Sequence, residues 1–306
     1  MYVVGIDVGG QTSKIGVVDA RGTVLAQTVI RTDNHDVVDL FIAELAEAVK
    51  KVIKEADVEG KVRGIGVGAP NGNYYTGTIE NAPNLSWGHN RVEFAKLLSE
   101  AMGGMPVALT NDANAAAVGE MTYGAARGMK NFIMITLGTG VGSGIVINGE
   151  VVYGHDGFAG ELGHTAAVRN NGRACGCGKT GCLETYASAT GVARTAREWL
   201  ELSDEPSVLR NLDSIASKDV FDAAKDGDKL ALKIFEFTGK ILGRSFADFV
   251  AFSAPEAIVL FGGLARAQEF LNDPIEEPLR VVPSPTGLPS KRGPGLGSFS
   301  RADRHI

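Results

Sequence analysis

The chain has 306 residues, of which 44% are hydrophobic and 22% are charged, and its formal net charge at pH 7 is −6. This length is comfortable for two globular lobes, and the negative charge argues against nonspecific binding of nucleic acid. No apolar run approaches the roughly 20 residues of a membrane-spanning helix, and the opening residues MYVVGIDVGG have no features of a secretory signal. We therefore expect a cytoplasmic protein whose partners are small molecules rather than nucleic acid or a membrane.

The first strand of the chain ends in a glycine-rich tip. Residues 2–8, YVVGIDV, predict a β-strand, and the run from Lys14 to Val18 predicts its antiparallel partner. The candidate nucleotide-binding residues of this tip are Asp7, Gly9, Gly10, Gln11, Thr12 and Lys14. Backbone N–H groups of such a turn form a nest for phosphate oxygens, and a strand-end Asp can hold Mg²⁺ directly or through water. Tight hairpins also favour glycine, so the tip alone is a weak signal.

The next hundred residues alternate between strand and helix patterns. They predict a strand over 23–31, a long helix from Asp36, a strand over 62–69, a helix over about 91–102 and a strand over 107–111. The intervening loop over 71–88 is long enough to be functional or mobile, although its Tyr74-Tyr75 pair suggests no stacking array.

The predicted strand over 107–111 meets a helix at Asn111 and Asp112. Open α/β sheets bind their ligands at the carboxyl ends of strands, and a carboxylate there can accept a proton from an attacking hydroxyl. Asp before an alanine-rich helix is also a common N-cap, and on spacing alone the cap is the stronger reading of Asp112. The two roles are compatible.

The opening hairpin pattern recurs at NFIMITLGTGVGSGIVIN, residues 131–148. An apolar strand again leads through a Gly/Thr tip, here Gly138, Thr139 and Gly140, into a second apolar strand. This internal repeat predicts a duplicated α/β domain with two facing phosphate-binding turns.

All three cysteines of the chain, Cys175, Cys177 and Cys182, lie within eight residues, shortly after His164. Three thiolates and one imidazole complete a tetrahedral zinc site with no open position, as in structural zinc centres. Gly176 and Gly178 could take the positive φ values of a C-x-C turn. Clustered free thiols, or a disulfide with one odd thiol, are the weaker alternatives.

Glu161, His164 and Glu184 surround this loop and could order the hydroxyl groups of a sugar. His164 could serve both functions, with one ring nitrogen on zinc and the other toward a hydroxyl.

The last part of the chain predicts helices over 183–200 and 228–252 separated by a polar connection. A strand over 257–261 then ends at Gly262 and Gly263, where the backbone could contact an adenosine or simply pack. A helix over 264–271 follows. From about Val281 the composition is rich in Pro, Gly, Ser and Arg, and it predicts an irregular or disordered tail.

Two motifs identify a family resemblance. LGTGVGSGIVINGEVVYGHDGFAGELGH, residues 137–164, and CGCGKTGCLE, residues 175–184, are similar to the signature and the zinc motif of the ROK family of sugar kinases and repressors. The resemblance runs from the first strand to about Pro274 and points to the bacterial glucokinases. It implies an actin/hexokinase-type, duplicated ribonuclease H-like fold with two lobes around a cleft.

The resemblance also implies a chemistry and a set of site residues. ATP and Mg²⁺ would bind in the cleft, a hexose would be phosphorylated at its 6-hydroxyl with Asp112 as general base, and the protein would be a homodimer or a higher homo-oligomer. The implied sugar contacts are Asn84, Asn111, Asp112, Glu161, His164 and Glu184, and the implied zinc ligands are His164, Cys175, Cys177 and Cys182. We place a small lobe over residues 1–111, a large lobe with the zinc loop over 112–280 and an atypical tail over 281–306.

The resemblance has two departures and leaves alternative functions open. Members of the family more often have Thr directly after the paired glycines, where this chain has Gln11, and they usually finish with a strand and an alanine-rich helix instead of this tail. The hairpin starts at once, with no DNA-binding helix-turn-helix before it, which disfavours a repressor. The alternatives to a glucokinase are a kinase for N-acetylglucosamine, N-acetylmannosamine, fructose or allose, and a non-catalytic sugar-binding regulator.

Overall fold

The computed structural model describes residues 1–279 and 295–297. Within them the backbone forms two compact units, one made of residues 1–127 and 151–160 and the other of residues 128–150 with the described residues from 161 onward. Each unit has its own sheet and its own hydrophobic core. The lobe boundaries deduced from the sequence stay a prediction. No helix in the described part of the chain has the length and apolar content needed to cross a bilayer.

The first unit is built on a five-stranded sheet in the order β3-β2-β1-β4-β7. Its strands are β1 (Tyr2–Val8), β2 (Thr12–Asp19), β3 (Val24–Arg31), β4 (Val62–Ala69) and β7 (Val107–Asn111). The first three strands are antiparallel, whereas β1, β4 and β7 are parallel, so the last residues of β1, β4 and β7 lie at one edge of the sheet. This edge is where both Asp7 and Asn111 stand.

Helices and a short hairpin complete the first unit. They are α1 (Val38–Glu55), α2 (Phe94–Ala101), α3 (Asp112–Tyr123) and the hairpin of β5 (Gly72–Asn73) and β6 (Thr78–Ile79). Helix α1 is amphipathic as predicted, with Phe41, Leu45 and Val49 fully buried. Leu40 is apolar but 59% exposed, because it lies on the face of the helix opposite these buried residues.

The second unit repeats the plan of the first. Its sheet has the order β10-β9-β8-β11-β12, with strands β8 (Phe132–Leu137), β9 (Val141–Ile147), β10 (Glu150–Val151), β11 (Ala257–Phe261) and β12 (Gly295–Gly297). Strands β8 and β9 are an antiparallel hairpin, and β8, β11 and β12 are parallel. Strands β8, β9 and β11 therefore correspond to β1, β2 and β4, and the predicted duplication is confirmed.

The helices of the second unit differ from the predicted ones at Ser188 and over Ser217–Lys225. They are α4 (Glu184–Ala187), α5 (Ala189–Leu202), α6 (Ser217–Lys225), α7 (Lys229–Ser253) and α8 (Gln268–Leu279), with single 3₁₀ turns at Leu162–His164, Val208–Asn211 and Leu264–Ala267. The single helix predicted over 183–200 is broken at Ser188, whose backbone is extended and whose side chain caps α5 at the Gly191 N–H. Helix α6 lies partly within the predicted polar connection.

The predicted irregular tail falls mostly outside the described residues. Within it, Gly295–Gly297 form strand β12, which pairs in parallel with β11, so the expectation of a tail without regular structure is wrong for these residues. The pairing uses only backbone groups, which is why side-chain composition did not reveal it.

Candidate active site and metal centre

The first glycine turn lies between β1 and β2 at the edge of the sheet described above. The Gly9 N–H donates a 3.0 Å hydrogen bond to the Thr12 carbonyl and closes the turn. A Cβ on Gly10 would lie 2.7 Å from the Asn84 carbonyl oxygen, a contact too close for any side chain. Glycine at position 10 therefore lets the 81–88 loop press against the turn and leaves Asn84 exposed beside it. A predicted phosphate turn and a predicted sugar residue are thus neighbours.

Asp7 and Asp112 form an electrostatic pair at this edge. Asp7 is the penultimate residue of β1 and faces Lys14 across the hairpin; burial raises the pKa of its carboxyl, and the Lys14 charge opposes that shift. Burial also raises the pKa of Asp112, and the negative charge of Asp7 raises it further, while the backbone N–H of Ala113 acts in the opposite direction. Two neighbouring carboxylates with raised pKa values mark a site that favours a proton or a cation.

Asp112 is exposed by surface area, yet protein surrounds it closely enough for desolvation to dominate its pKa. The carboxylate therefore lies in a recess, where water reaches it but cannot fully hydrate it, because the free energy of a charge depends on the whole dielectric around it rather than on its contact with water alone.

The start of α3 corrects the predicted capping residue. The N-cap is Asn111, whose side-chain oxygen accepts a 2.8 Å hydrogen bond from the Ala113 N–H. Asp112 is the first helical residue, and its Oδ1 also accepts from that N–H at 2.8 Å. Because Asn111 performs the capping, the structure does not need Asp112 as the N-cap, and the competing explanation for this carboxylate is weakened.

The second glycine turn is tied to helices α4 and α5. The Gly138 N–H donates to the Gly140 carbonyl at 3.0 Å, and the Gly138 carbonyl accepts from the Ala189 N–H at 2.8 Å. The Thr190 hydroxyl donates to the Thr139 carbonyl. These bonds fix the turn and occupy the carbonyl groups of Gly138, Thr139 and Gly140.

Glu184 reaches into the same turn. Its Oε2 accepts a 3.0 Å hydrogen bond from the Val141 N–H, and a Cβ on Gly140 would lie 2.4 Å from that oxygen. Its other oxygen lies 3.8 Å from the Cys175 sulfur. Glu184, predicted only as a sugar contact, therefore also connects the glycine turn to the cysteine cluster.

Glu161 and His164 lie on a 3₁₀ turn that packs against the start of β9. The Ser143 hydroxyl accepts a 3.0 Å hydrogen bond from the Leu162 N–H. A Cβ on Gly163 would lie 2.0 Å from the Val141 carbonyl oxygen, so only glycine permits this approach. The turn thereby lies next to the glycine turn that Glu184 contacts.

The four predicted zinc ligands come together. One ligand atom from each of His164, Cys175, Cys177 and Cys182 lies within 4.8 Å of all the others. The Cys177 and Cys182 sulfurs are 3.6 Å apart, and His164 Nδ1 is 3.6 Å from the Cys175 sulfur. Two sulfurs held about 2.3 Å from one tetrahedral Zn²⁺ lie about 3.8 Å apart, so the residues fit the ion. The three cysteines are free thiols, which excludes the disulfide alternative in this structure.

The thiol pKa values show why a cation suits this cluster. Burial, followed by hydrogen bonding with Cys177, raises the pKa of Cys182 to about 12, and burial raises the pKa of Cys175. Burial acts to raise the pKa of Cys177 as well, but hydrogen bonds from the Lys179 backbone N–H and the neighbouring thiols outweigh it and lower that pKa. Three thiols this close cannot all ionise without a positive charge among them, which a divalent metal ion would supply.

The cysteine loop is shaped mainly by its backbone. The Cys175 N–H donates to the Lys179 carbonyl at 2.9 Å, and isolated β-bridges join Ala174 to Thr180 and Ala166 to Cys182. Of the two glycines that flank Cys177, only Gly178 has a positive φ, +87°, so the prediction for Gly176 is wrong.

Packing alone accounts for Gly262, whereas Gly263 stays without a structural explanation. Gly262 has a φ of +101°, and a Cβ there would lie 2.6 Å from the Leu137 carbonyl oxygen. No atom lies within 4 Å of a Cβ built on Gly263. The role of both glycines in nucleotide binding stays a prediction.

Three residues that hold the segment leading to Glu161, namely Asn73, Tyr74 and Tyr75, are not predicted by any sequence motif. Tyr74 stacks on Tyr153 with ring centroids 4.2 Å apart, and the Tyr75 hydroxyl donates to the Gly154 carbonyl at 2.9 Å. Asn73, which is 3% exposed, donates to the Asp156 carbonyl at 2.8 Å. The expectation of no stacking for the tyrosine pair is wrong, because the partner ring lies about 80 residues away in the chain.

Comparisons with known proteins give the same picture. The family model of the ROK family matches residues 3–282. The chain is 40% identical to a glucokinase of Halalkalibacterium halodurans over 281 residues, which span 90% of this chain and 84% of that protein. It superposes on a ROK hexokinase from Thermus thermophilus with a TM-score of 0.80 and 31% identity, over 99% of this chain and 93% of the other.

A third relative was solved with ligands bound. A ROK family glucokinase from Streptomyces griseus, in complex with glucose and AMPPNP, superposes with a TM-score of 0.76 and 31% identity, over 94% of this chain and 92% of that one. The expected actin/hexokinase-type fold with two lobes is confirmed by these structures. On the strength of a family model that matches nearly its whole described length, together with these relatives, the chain belongs to the ROK family.

Proposed function

We propose that the protein is a glucokinase that transfers the γ-phosphoryl group of ATP to the 6-hydroxyl of glucose. The observation that carries the proposal is Asp112, a recessed carboxylate with a raised pKa at the carboxyl end of β7, in a chain 40% identical to a glucokinase. A sugar kinase needs a base at this kind of position, because its substrate hydroxyl must lose a proton as it attacks phosphorus.

Asp112 accepts that proton in the proposed reaction. The sugar O6–H proton passes to the carboxylate, the new bond forms between O6 and the γ-phosphorus, and the bond from the γ-phosphorus to the bridging oxygen breaks to release ADP. The raised pKa makes Asp112 a stronger base than an ordinary aspartate, which favours proton transfer near neutral pH. Asn111 holds the start of α3 and so orients the carboxylate.

The remaining polar residues divide between the two substrates. We assign the sugar hydroxyls to Asn84, Asn111, Asp112, Glu161, His164 and Glu184, because carboxylates and amides left unpaired by a wrong sugar cost about 1–3 kcal/mol each. We assign the nucleotide to Asp7, Gly9, Gly10, Gln11, Thr12, Lys14, Gly138, Thr139, Gly140, Gly262 and Gly263. The glycine turns occupy equivalent positions in the two sheets, which supports a shared role in phosphate binding.

Two metal ions belong to this proposal. Asp7 is the carboxylate that would hold Mg²⁺ directly or through water, and the ion would neutralise charge on the ATP phosphates. Zinc would be held by His164, Cys175, Cys177 and Cys182, a set that leaves no position for substrate, so its role is structural. His164 uses Nδ1 in the cluster, which leaves Nε2 for a sugar hydroxyl.

An ADP-release assay over a sugar panel tests the proposal. Purified protein with ATP and Mg²⁺ should turn over glucose with a higher kcat/KM than N-acetylglucosamine, N-acetylmannosamine, fructose or allose. Preference for another hexose would reassign the substrate within the family, and binding without turnover would indicate a regulator. Zinc analysis of the same sample should find one ion per chain. Light scattering tests the expected homodimer or higher oligomer.

A further inference from the structure

One arginine contacts both the cysteine loop and helix α4. Arg173 is 9% exposed, and it precedes Cys175 by two residues. Its Nη1 donates to the Thr185 carbonyl at 2.8 Å, and its Nη2 donates to the Thr195 hydroxyl at 2.9 Å. Its guanidinium also lies over the Tyr186 ring, 4.5 Å from the centroid. The side chain thus reaches from the loop to two successive helices.

The backbone of Arg173 is held as firmly as its side chain. Its N–H donates to the Tyr186 hydroxyl at 2.9 Å, and its carbonyl accepts from the Gly181 N–H at 2.8 Å. The second bond closes the loop one residue before Cys182. The geometry of the loop therefore has a support that uses no sulfur atom.

A single carboxylate balances the buried charge. Glu198 Oε2 accepts from Arg173 Nη2 at 2.5 Å and from Nε at 3.0 Å. The other oxygen of Glu198 accepts from Arg194 Nε at 2.7 Å, on the solvent side of α5. Arg173 and Arg194 therefore share Glu198 as their acidic partner. Of the two, Arg173 belongs to the cysteine loop and also bonds α4.

The Thr185 carbonyl matters because Thr185 follows Glu184. Three hydrogen bonds fix this residue: its N–H and its hydroxyl donate to the Cys182 carbonyl at 3.0 and 2.8 Å, and its carbonyl accepts from Arg173. Glu184 directly precedes Thr185, and its carboxylate accepts a hydrogen bond from the Val141 N–H. We propose that Arg173 is a positioning residue that holds the backbone at Thr185 and thereby aims the Glu184 carboxylate, independently of the metal ion.

This inference rests on the proposed function, in which Glu184 contacts the sugar. If Arg173 aims that carboxylate, its loss should weaken sugar binding although the four metal ligands are intact. If zinc alone positions Glu184, the arginine only adds stability, and sugar affinity should not depend on it.

The test compares Arg173→Met with Arg194→Met. Both substitutions remove one positive charge that pairs with Glu198, with two hydrogen bonds lost in Arg173→Met and one in Arg194→Met, so Arg194→Met is the matched control for the loss of charge beside Glu198. We expect Arg173→Met to raise the KM and the Kd for glucose about tenfold, the equivalent of one lost hydrogen bond, with one zinc ion per chain retained. Arg194→Met should stay within about twofold of the wild type in each quantity.

Two results would overturn the inference: Arg173→Met with the glucose affinity of Arg194→Met, or Arg173→Met with zinc and sugar affinity lost together. If Arg173→Met does not fold, Arg173→Lys and Glu198→Gln are judged by the same criteria, since Lys keeps the charge but cannot reproduce the planar fork. Failure of the proposed function is separately visible, because the wild type and Arg194→Met would then phosphorylate no sugar of the panel.

Discussion

Substituting Gly140 by alanine tests whether the Glu184 carboxylate is held by the second glycine turn. A Cβ at position 140 would lie 2.4 Å from Glu184 Oε2, and the carboxylate is the end of a flexible side chain that can move away. Moving it breaks the 3.0 Å bond from the Val141 N–H. A hydrogen bond to a carboxylate contributes about 1.5–3 kcal/mol to stability. Because half-buried Glu184 regains some hydration when it moves, we expect the free energy of unfolding to fall by about 1.5–2 kcal/mol.

Gly138→Ala is the matched control. No atom lies within 4 Å of a Cβ at that position, and neither glycine has a positive φ. The substitution should therefore leave stability unchanged or raise it by about 0.4–1 kcal/mol, because alanine restricts the unfolded chain. Thermal unfolding without ligands measures the stability of both variants. Since 1 kcal/mol corresponds to about 2–4 °C in Tm, Gly140→Ala should lower Tm by about 3–8 °C. Equal Tm values for the two variants would refute the argument.

Three further predictions concern the proposed base and the metal. Asp112→Asn should abolish turnover while glucose binding survives in calorimetry; retained kcat would exclude Asp112 as the base. The pKa of Asp112 in the folded state is raised above its ordinary 3.8. The protonated carboxyl therefore contributes fully to the stability of the fold below pH 3.8, and this contribution is lost as the pH rises through the folded-state pKa. Asp112→Asn should therefore have a higher Tm than the wild type at pH 7, a difference that shrinks toward pH 4; a pH-independent difference would contradict the raised pKa. Cys177→Ser should lose zinc and glucose affinity together, and normal sugar binding without metal would show that the ion has no part in shaping the site.

Much of the fold could be read from local pattern. The strand over 62–69 coincides with β4, and the two hairpins were found because apolar β-branched runs flank glycine-rich tips. These features depend on neighbours in the chain, and local patterns report them well. Helix α6 was missed because its polar residues outnumber its buried ones, Val220, Ala223 and Ala224. The break at Ser188 has no local signal, because the Ala189 N–H that follows it donates to the Gly138 carbonyl, about 50 residues away in the chain.

The candidate site shows the same division. The cysteine cluster could be predicted since its three thiols are close in the chain and only His164 had to be brought to them. The contact of Glu184 with the second glycine turn could not be predicted, because it depends on where β8 and β9 turn. Asn111 rather than Asp112 is the cap because the helix begins one residue earlier than a cap at Asp112 would require, and either residue type can cap.

The sequence by itself determined the duplicated architecture, the cluster of three cysteines with His164 and the family, since each is written in residue types at short spacing. Tertiary structure alone decided which carboxylate has a raised pKa, which glycines are required and which rings stack. Asp112 owes its pKa to burial and to Asp7, and Tyr153 reaches Tyr74 only through the folded chain. The physical reason is that desolvation and close packing depend on atoms distant in sequence, and a local pattern carries no information about them.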